Sequence, residues 1–226
     1  MTGDFATGDF ANNALGKSQM KSPPRLLITA FAPFGSWQEN ASELCLRHLL
    51  PLLDDYLVTA RVYPVEFDAA RPLLESDLQQ NYDLTIHLGQ AQNTSRIRLE
   101  AVGLNVGSVP GRLESDMFGL VADGPAAYQS QLPLTKWAER LRRQGIPAYV
   151  SYHAGTYLCN ATLYWAHHFL EQNPHLITPV CFIHVPLDIS QVAGLPGDYL
   201  TLPATLTAQA VASLIAMWAA DGDVIL

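Results

Sequence analysis

Cysteine is scarce in this chain, and basic charge is in deficit. Cys45, Cys159 and Cys181 are the three thiols in 226 residues. Their odd number, with no C-x-x-C pair, argues against a disulfide framework and for a reducing, cytoplasmic setting. Lysine and arginine together number 13 against 21 acidic residues, for a formal net charge of -8. Nucleic acids and anionic membranes both need a basic face, so neither is expected as a partner. No apolar run approaches the roughly 18–20 residues of a membrane span. The first 24 residues lack the basic start and apolar block of a secretory signal.

With 49% hydrophobic residues there is ample material for one core, and no linker divides the centre. Residues 1–24 read as a flexible tail. They hold a tandem Thr-Gly-Asp-Phe-Ala, at 2–6 and 7–11, and end at Pro23-Pro24. The domain then spans residues 25–226. Residues 25–31, 57–63 and 83–89 read as apolar strands. Asn40-Ala41-Ser42-Glu43 has capping-box spacing ahead of a helix through Leu50, and a second helix covers about residues 67–80. Residues 96–102 alternate polar with apolar side chains, as in a strand with one wet face. Residues 103–134, rich in Gly, Pro and Asp, read as an irregular excursion. A helix over 134–144, a strand to about Tyr152 and a closing helix from Pro203 to Trp218 complete the pattern. Alternating strands and helices predict a single-domain, three-layer α/β/α sandwich around a mostly parallel, twisted sheet. Parallel strands place the ends carrying Gly89, Tyr152 and His184 on one edge, where sites in such sheets gather.

The stretch His153-Ala154-Gly155-Thr156-Tyr157-Leu158-Cys159-Asn160 sets a thiol just past a glycine turn, at the start of a helix. Unpaired N–H groups and the positive dipole end at such a place favour a thiolate. Val180-Cys181-Phe182-Ile183-His184-Val185-Pro186 supplies a histidine near a strand end. A cysteine hydrolase, in which an imidazole activates the thiol, suits this pair. An inert buried thiol and a hydrogen-bonded core histidine suit it as well, and spacing does not decide between them. Cys45 and Cys181 sit in apolar patterns and read as core. His167, His168 and His175 fall into no metal-binding spacing, and Gly103, Gly107 and Gly111 lack the strand–turn–helix context of a phosphate loop. Glu100 reads as a strand carboxylate facing water. It becomes a candidate only if His184 needs an orienting acid. Phe31 and Phe34, flanking a turn at a strand end, fit either core or the wall of an apolar pocket.

These blocks resemble type I pyroglutamyl peptidases (pyrrolidone-carboxylate peptidases). Residues 27–35 are similar to that family's opening strand and turn, and residues 89–105 to its glutamate block. Residues 123–128 with Leu132-Pro133, the Ala154–Asn160 cysteine signature with Tyr164, and the segment Ile183-His184-Val185-Pro186 complete the match. The resemblance implies Cys159 as nucleophile, His184 as base and Glu100 as orienting acid. It further implies that Phe31, Phe34, Tyr157 and Leu158 line a pocket for the lactam ring, with Asn40 and Gln90 making polar contacts nearby. The implied substrates are N-terminally pyroglutamylated peptides. The implied chemistry is a thioester with no metal or organic cofactor, and the implied assembly is a homo-oligomer, a tetramer by resemblance.

The chain departs from the family pattern at Gln92-Asn93-Thr94, where two glycines and an arginine are usual. It departs again at Ala101 and Gly103 after the glutamate, at His153, where a small residue or threonine is usual, and at Ser36. These departures leave open an amidohydrolase of altered specificity and a binding protein that has lost turnover.

Overall fold

A computed structural model describes residues 22–111, 113 and 116–221. The expected tail lies almost wholly outside the described residues. The elements are β1 (Arg25–Phe31), α1 (Ala41–Leu49), β2 (Leu57–Tyr63), α2 (Phe67–Leu78), β3 (Leu84–Ala91), β4 (Ile97–Glu100), β5 (Val102–Leu104), β6 (Ala127–Gln129), α3 (Leu134–Arg143), β7 (Ala148–Ser151), α4 (Leu158–Gln172), β8 (Val180–Pro186), α5 (Ile189–Val192) and α6 (Ala204–Ala220). The six-stranded sheet has the order β2-β1-β3-β8-β4-β7, and β5 and β6 form a second, two-stranded sheet.

The central strands are apolar runs because both of their faces are covered. All eight residues of β3 and all seven of β8 are buried. On one face Leu46 and Leu49 of α1, Leu134, Trp137 and Leu141 of α3, and Val211 and Leu214 of α6 pack on Ile28, Ile86 and Ile183. On the other, Leu74 and Leu78 of α2 and Leu158, Leu163 and Tyr164 of α4 pack on Leu27, Phe31 and Phe182. The three expected layers are therefore present. In α3 the buried residues Leu134, Trp137, Ala138 and Leu141 follow the i, i+3, i+4, i+7 stripe of an amphipathic helix. Asn40 caps α1 by accepting from the Ser42 N–H, whereas Glu43 turns to Arg47 at 2.6 Å instead of closing a capping box.

Three expectations need correction. β4 runs antiparallel to β8 and parallel to β7, so the carboxyl end of β7 faces away from those of β3 and β8. Tyr152 is thus not on the edge shared by Gly89 and His184. Glu100 does not face water but is 0% exposed, its carboxylate turned to the imidazole of His184 on the neighbouring strand β8. The excursion after Glu100 is partly regular. β5 and β6 pair and rest on α4 so closely that a Cβ at Gly103 would come within 2.9 Å of the Tyr164 backbone nitrogen.

Candidate active site

The nucleophile candidate takes its place from the start of α4. Tyr157 is the N-cap residue, with no side-chain cap, and the first intrahelical bond runs from Ala161 N–H to Tyr157 C=O at 3.1 Å. The N–H groups of Leu158, Cys159 and Asn160 therefore have no acceptor within the helix. Cys159, in the first turn, is partly exposed, while Cys45 and Cys181 are 0% exposed. Burial pushes the Cys45 thiol up to about 12 and also raises that of Cys181. Both match the core positions read from the sequence.

Register brings the histidine under the thiol. Gly89 of β3 pairs with His184 of β8, and a Cβ at Gly89 would stand 3.1 Å from Cys159 Sγ and 2.7 Å from Phe182 Cζ. Glycine at 89 leaves the room in which the sulfur sits. Phe182 also flanks the His184 ring, with centroids 5.0 Å apart. The Nδ1 atom of His184 lies 2.8 Å from Oε1 of Glu100, so the third residue implied by the resemblance does reach the imidazole. Burial by itself lowers the His184 pKa. The charge and hydrogen bond of Cys159, with the hydrogen bond and charge of Glu100, outweigh that and raise it to about 9.

The other expected residues are placed unequally. Tyr157 and Phe34 are partly exposed near the thiol helix and the β1 exit, and the Tyr157 hydroxyl donates to Val65 C=O at 3.0 Å. Phe31 and Leu158 are 3% and 1% exposed and belong, with Phe182, to one apolar cluster. The side chains of Asn40 and Gln90 are engaged in the scaffold. Asn40 Nδ2 donates to Ala32 C=O at 3.0 Å. Gln90 Oε1 accepts from Ala41 N–H and Gln191 Nε2, each at 2.8 Å. Strand alternation turns the Gln90 side chain to the face opposite Gly89, and among the described residues its Nε2 is buried without a partner.

Asn160 had no role in the sequence reading beyond its place in the signature. It is 0% exposed. Its Oδ1 accepts from Leu104 N–H at 2.8 Å, and its Nδ2 donates to Leu104 and Val106 C=O, each at 2.9 Å. It fixes the start of α4 against the excursion, which Ser108 and Thr156 join again through their hydroxyls at 2.6 Å. A polar residue immediately after the thiol was the available signal. Asn93, where the family has glycine, has φ of 56°. Asn tolerates this left-handed conformation better than most side chains, so the departure keeps the glycine backbone path. His153 accepts from Gly155 N–H at its Nδ1, 3.1 Å away, within the turn leading to Cys159.

Among the described residues no three His, Cys, Asp or Glu side chains converge as metal ligands. None of the described helices is long and apolar enough to cross a membrane.

Comparison with known proteins agrees with this geometry. A family profile described as pyroglutamyl peptidase matches residues 24–220. The pyrrolidone-carboxylate peptidase of Pyrococcus furiosus is 34% identical over 177 residues, 74% of this chain and 83% of that protein. That of Streptomyces coelicolor is 36% identical over 209 residues, 85% and 90% of the two chains. The crystal structure of the pyrrolidone carboxyl peptidase of Fervidobacterium islandicum AW-1 is similar with a TM-score of 0.78 at 28% identity, covering 88% of this chain and 99% of that one.

Proposed function

The chain belongs to the pyroglutamyl peptidase family, and we propose that it removes N-terminal pyroglutamate from peptides through Cys159, His184 and Glu100. One observation carries the assignment of roles. A buried carboxylate stands 2.8 Å from the imidazole of His184, whose strand partner Gly89 lies directly against the Cys159 sulfur. A nucleophile, a base and an orienter in that order are what thiol acyl transfer needs.

The Cys159 sulfur, its proton held by His184, attacks the pyroglutamyl carbonyl carbon. The N–H groups of the first turn of α4 stabilise the resulting oxyanion. His184 then gives its proton to the leaving amine as the C–N bond breaks, which leaves a thioester. Water, deprotonated by His184, attacks the thioester carbon, releasing pyroglutamate and restoring the thiol pair. Glu100 accepts from Nδ1–H and keeps Nε2 turned to the sulfur through both steps. Phe34 and Tyr157 form the sides of the lactam pocket over Phe31 and Leu158, and the Gln90 main chain meets the ring's amide edge.

Three unpaired thiols support a reducing, cytoplasmic setting. The family resemblance supports self-association as a tetramer, which size-exclusion chromatography with light scattering tests. The deciding experiment is release of a fluorophore from a pyroglutamyl amide by the wild type and by Cys159→Ala. Turnover by the wild type alone is expected, and no turnover by the wild type overturns the assignment.

A further inference from the structure

The polar face of β4 holds two arginines that this reaction does not use. Arg98 and Glu100 are two positions apart in the strand and so share a face, and Arg96 precedes them in the same alternation. Antiparallel pairing sets Arg98 directly opposite His184. Side chains so opposed point to the same face, with Cβ atoms about 4.5–5.5 Å apart. Arg98 is therefore the neighbour of the imidazole on the side away from β3. On its other side Arg98 pairs with Tyr149 of β7, and the Arg96 guanidinium carbon lies 4.4 Å from the centre of the Tyr149 ring.

Neither arginine forms an ion pair with a described residue. Among the described residues the ion pairs of Arg47, Arg61, Arg71, Lys136, Arg143 and His184 leave both out. Arg98 is half-buried, and its Nε is enclosed with no acceptor. No residue of β4 or β7 belongs to the apolar core beneath α2 and α4, and at the outer end of this face Arg96 is exposed. In a chain of net charge -8, two arginines outside any ion pair, on a polar strand face that also carries the Glu100–His184 pair, suit an anion from outside.

The sheet order gives that anion its place. β1 and β3, which lead to Phe34 and Gln90, lie on one side of β8, and β4 and β7 lie on the other. With the lactam ring on the first side, the leaving peptide passes over the second. We infer that Arg98, aided by Arg96, binds a carboxylate on the leaving part of the substrate. The preferred substrates are then pyroglutamyl peptides whose second residue is acidic or carries the free C-terminal carboxylate. A guanidinium suits this task because it forks a carboxylate with two parallel hydrogen bonds and keeps its charge at every working pH. The inference rests on the peptidase reading above.

Three substrates test it: pyroglutamyl-glutamate with a blocked C-terminus, pyroglutamyl-alanine with a free C-terminus, and pyroglutamyl-alanine amide. The wild type should favour at least one carboxylate substrate over the amide in kcat/KM by about tenfold, as for a hydrogen bond to a charged group. The arm that shows the preference identifies which carboxylate is read. Arg98→Gln should bring the ratio close to unity, Arg98→Lys should keep part of it, and raised salt should lower it. Arg96→Gln, at an exposed position, should reduce the ratio without risk to folding. Equal wild-type rates on all three substrates overturn the inference, as does an unchanged ratio in both glutamine variants. Hydrolysis of none of them by the wild type would instead overturn the peptidase reading.

Discussion

The imidazole of His184 and the carboxylate of Glu100 meet at 2.8 Å with side-chain exposures of 8% and 0%. Among the described residues the second carboxylate oxygen, Oε2, has no hydrogen-bond partner, so the bond to His184 is what offsets burial of Glu100. An orienting acid placed this way acts on the imidazole's tautomer and direction rather than on substrate affinity. Glu100→Gln should therefore lower kcat by about a hundredfold or more, in the range of acid–base contributions, with KM little changed. His184→Ala should cost more, because it removes the base. Steady-state kinetics of the two variants check both, and wild-type kcat in Glu100→Gln would remove the carboxylate from the mechanism.

The thiols should separate cleanly by reactivity. Iodoacetamide should label Cys159 in the folded protein and spare Cys45 and Cys181, which are wholly buried. Cys159→Ala should abolish turnover with the fold retained by circular dichroism. Cys45→Ala and Cys181→Ala should keep activity while losing about 1 kcal/mol of stability to small cavities. Mass mapping of the label decides the point, and preferential modification of Cys45 or Cys181 would contradict it.

Alkaline stability should follow His184. Its value is raised to about 9 from an unfolded value of about 6.5, so the folded state holds this proton more tightly. The stabilisation is fully present below about pH 6.5 and is lost as pH rises through about 9. In Cys159→Ala the charge and hydrogen bond from residue 159 vanish, so His184 should titrate lower and the alkaline loss should begin earlier. Imidazole NMR titration of the two proteins measures the shift, and identical curves would refute it.

Acid stability should follow His87. This residue is 0% exposed, its Nδ1 lies 2.7 Å from Thr29 Oγ1, and burial followed by the nearby His167 lowers its value to about 3. The unfolded chain takes up this proton below about pH 6.5, so the contribution is full above that value and falls as pH drops toward 3. The denaturant midpoint should decline between pH 7 and 5, and the decline should be shallower in His87→Gln. Equal slopes would assign the acid limb to other groups.

Substrate choice should follow the ring. A lactam has apolar faces, one amide edge and no charge, whereas an N-terminal proline carries a charged amine whose burial without a partner is costly. Pyroglutamyl amides should be cleaved at least about a hundredfold faster than prolyl or glutaminyl amides, a modest demand for a site that hydrogen-bonds its substrate. Comparable kcat/KM values would point to the amidohydrolase of altered specificity.

What was local in cause was legible in the sequence. The start of α4 could be read because a glycine turn followed by an apolar helical pattern fixes a helix terminus within a few residues, while the partial exposure of Cys159 there came only with the tertiary structure. The apolar runs of β1, β3 and β8 announced strands covered on both faces, and hence the layers. The reversed direction of β4 and β7 could not be read, because a four-residue strand carries no mark of which way its neighbours run. That reversal buries Glu100, turns it to His184, moves Tyr152 off the shared edge and sets Arg98 across from the imidazole. The scaffold bonds of Asn40 and Gln90 to Ala32, Ala41 and Gln191 were not legible either, since they exist only once distant segments have met. The sequence by itself determined the thiol, its helix and the layered fold through short-range periodicity and turns. Long-range strand pairing, which no local pattern encodes, decided which acid, which arginine and which face accompany that thiol.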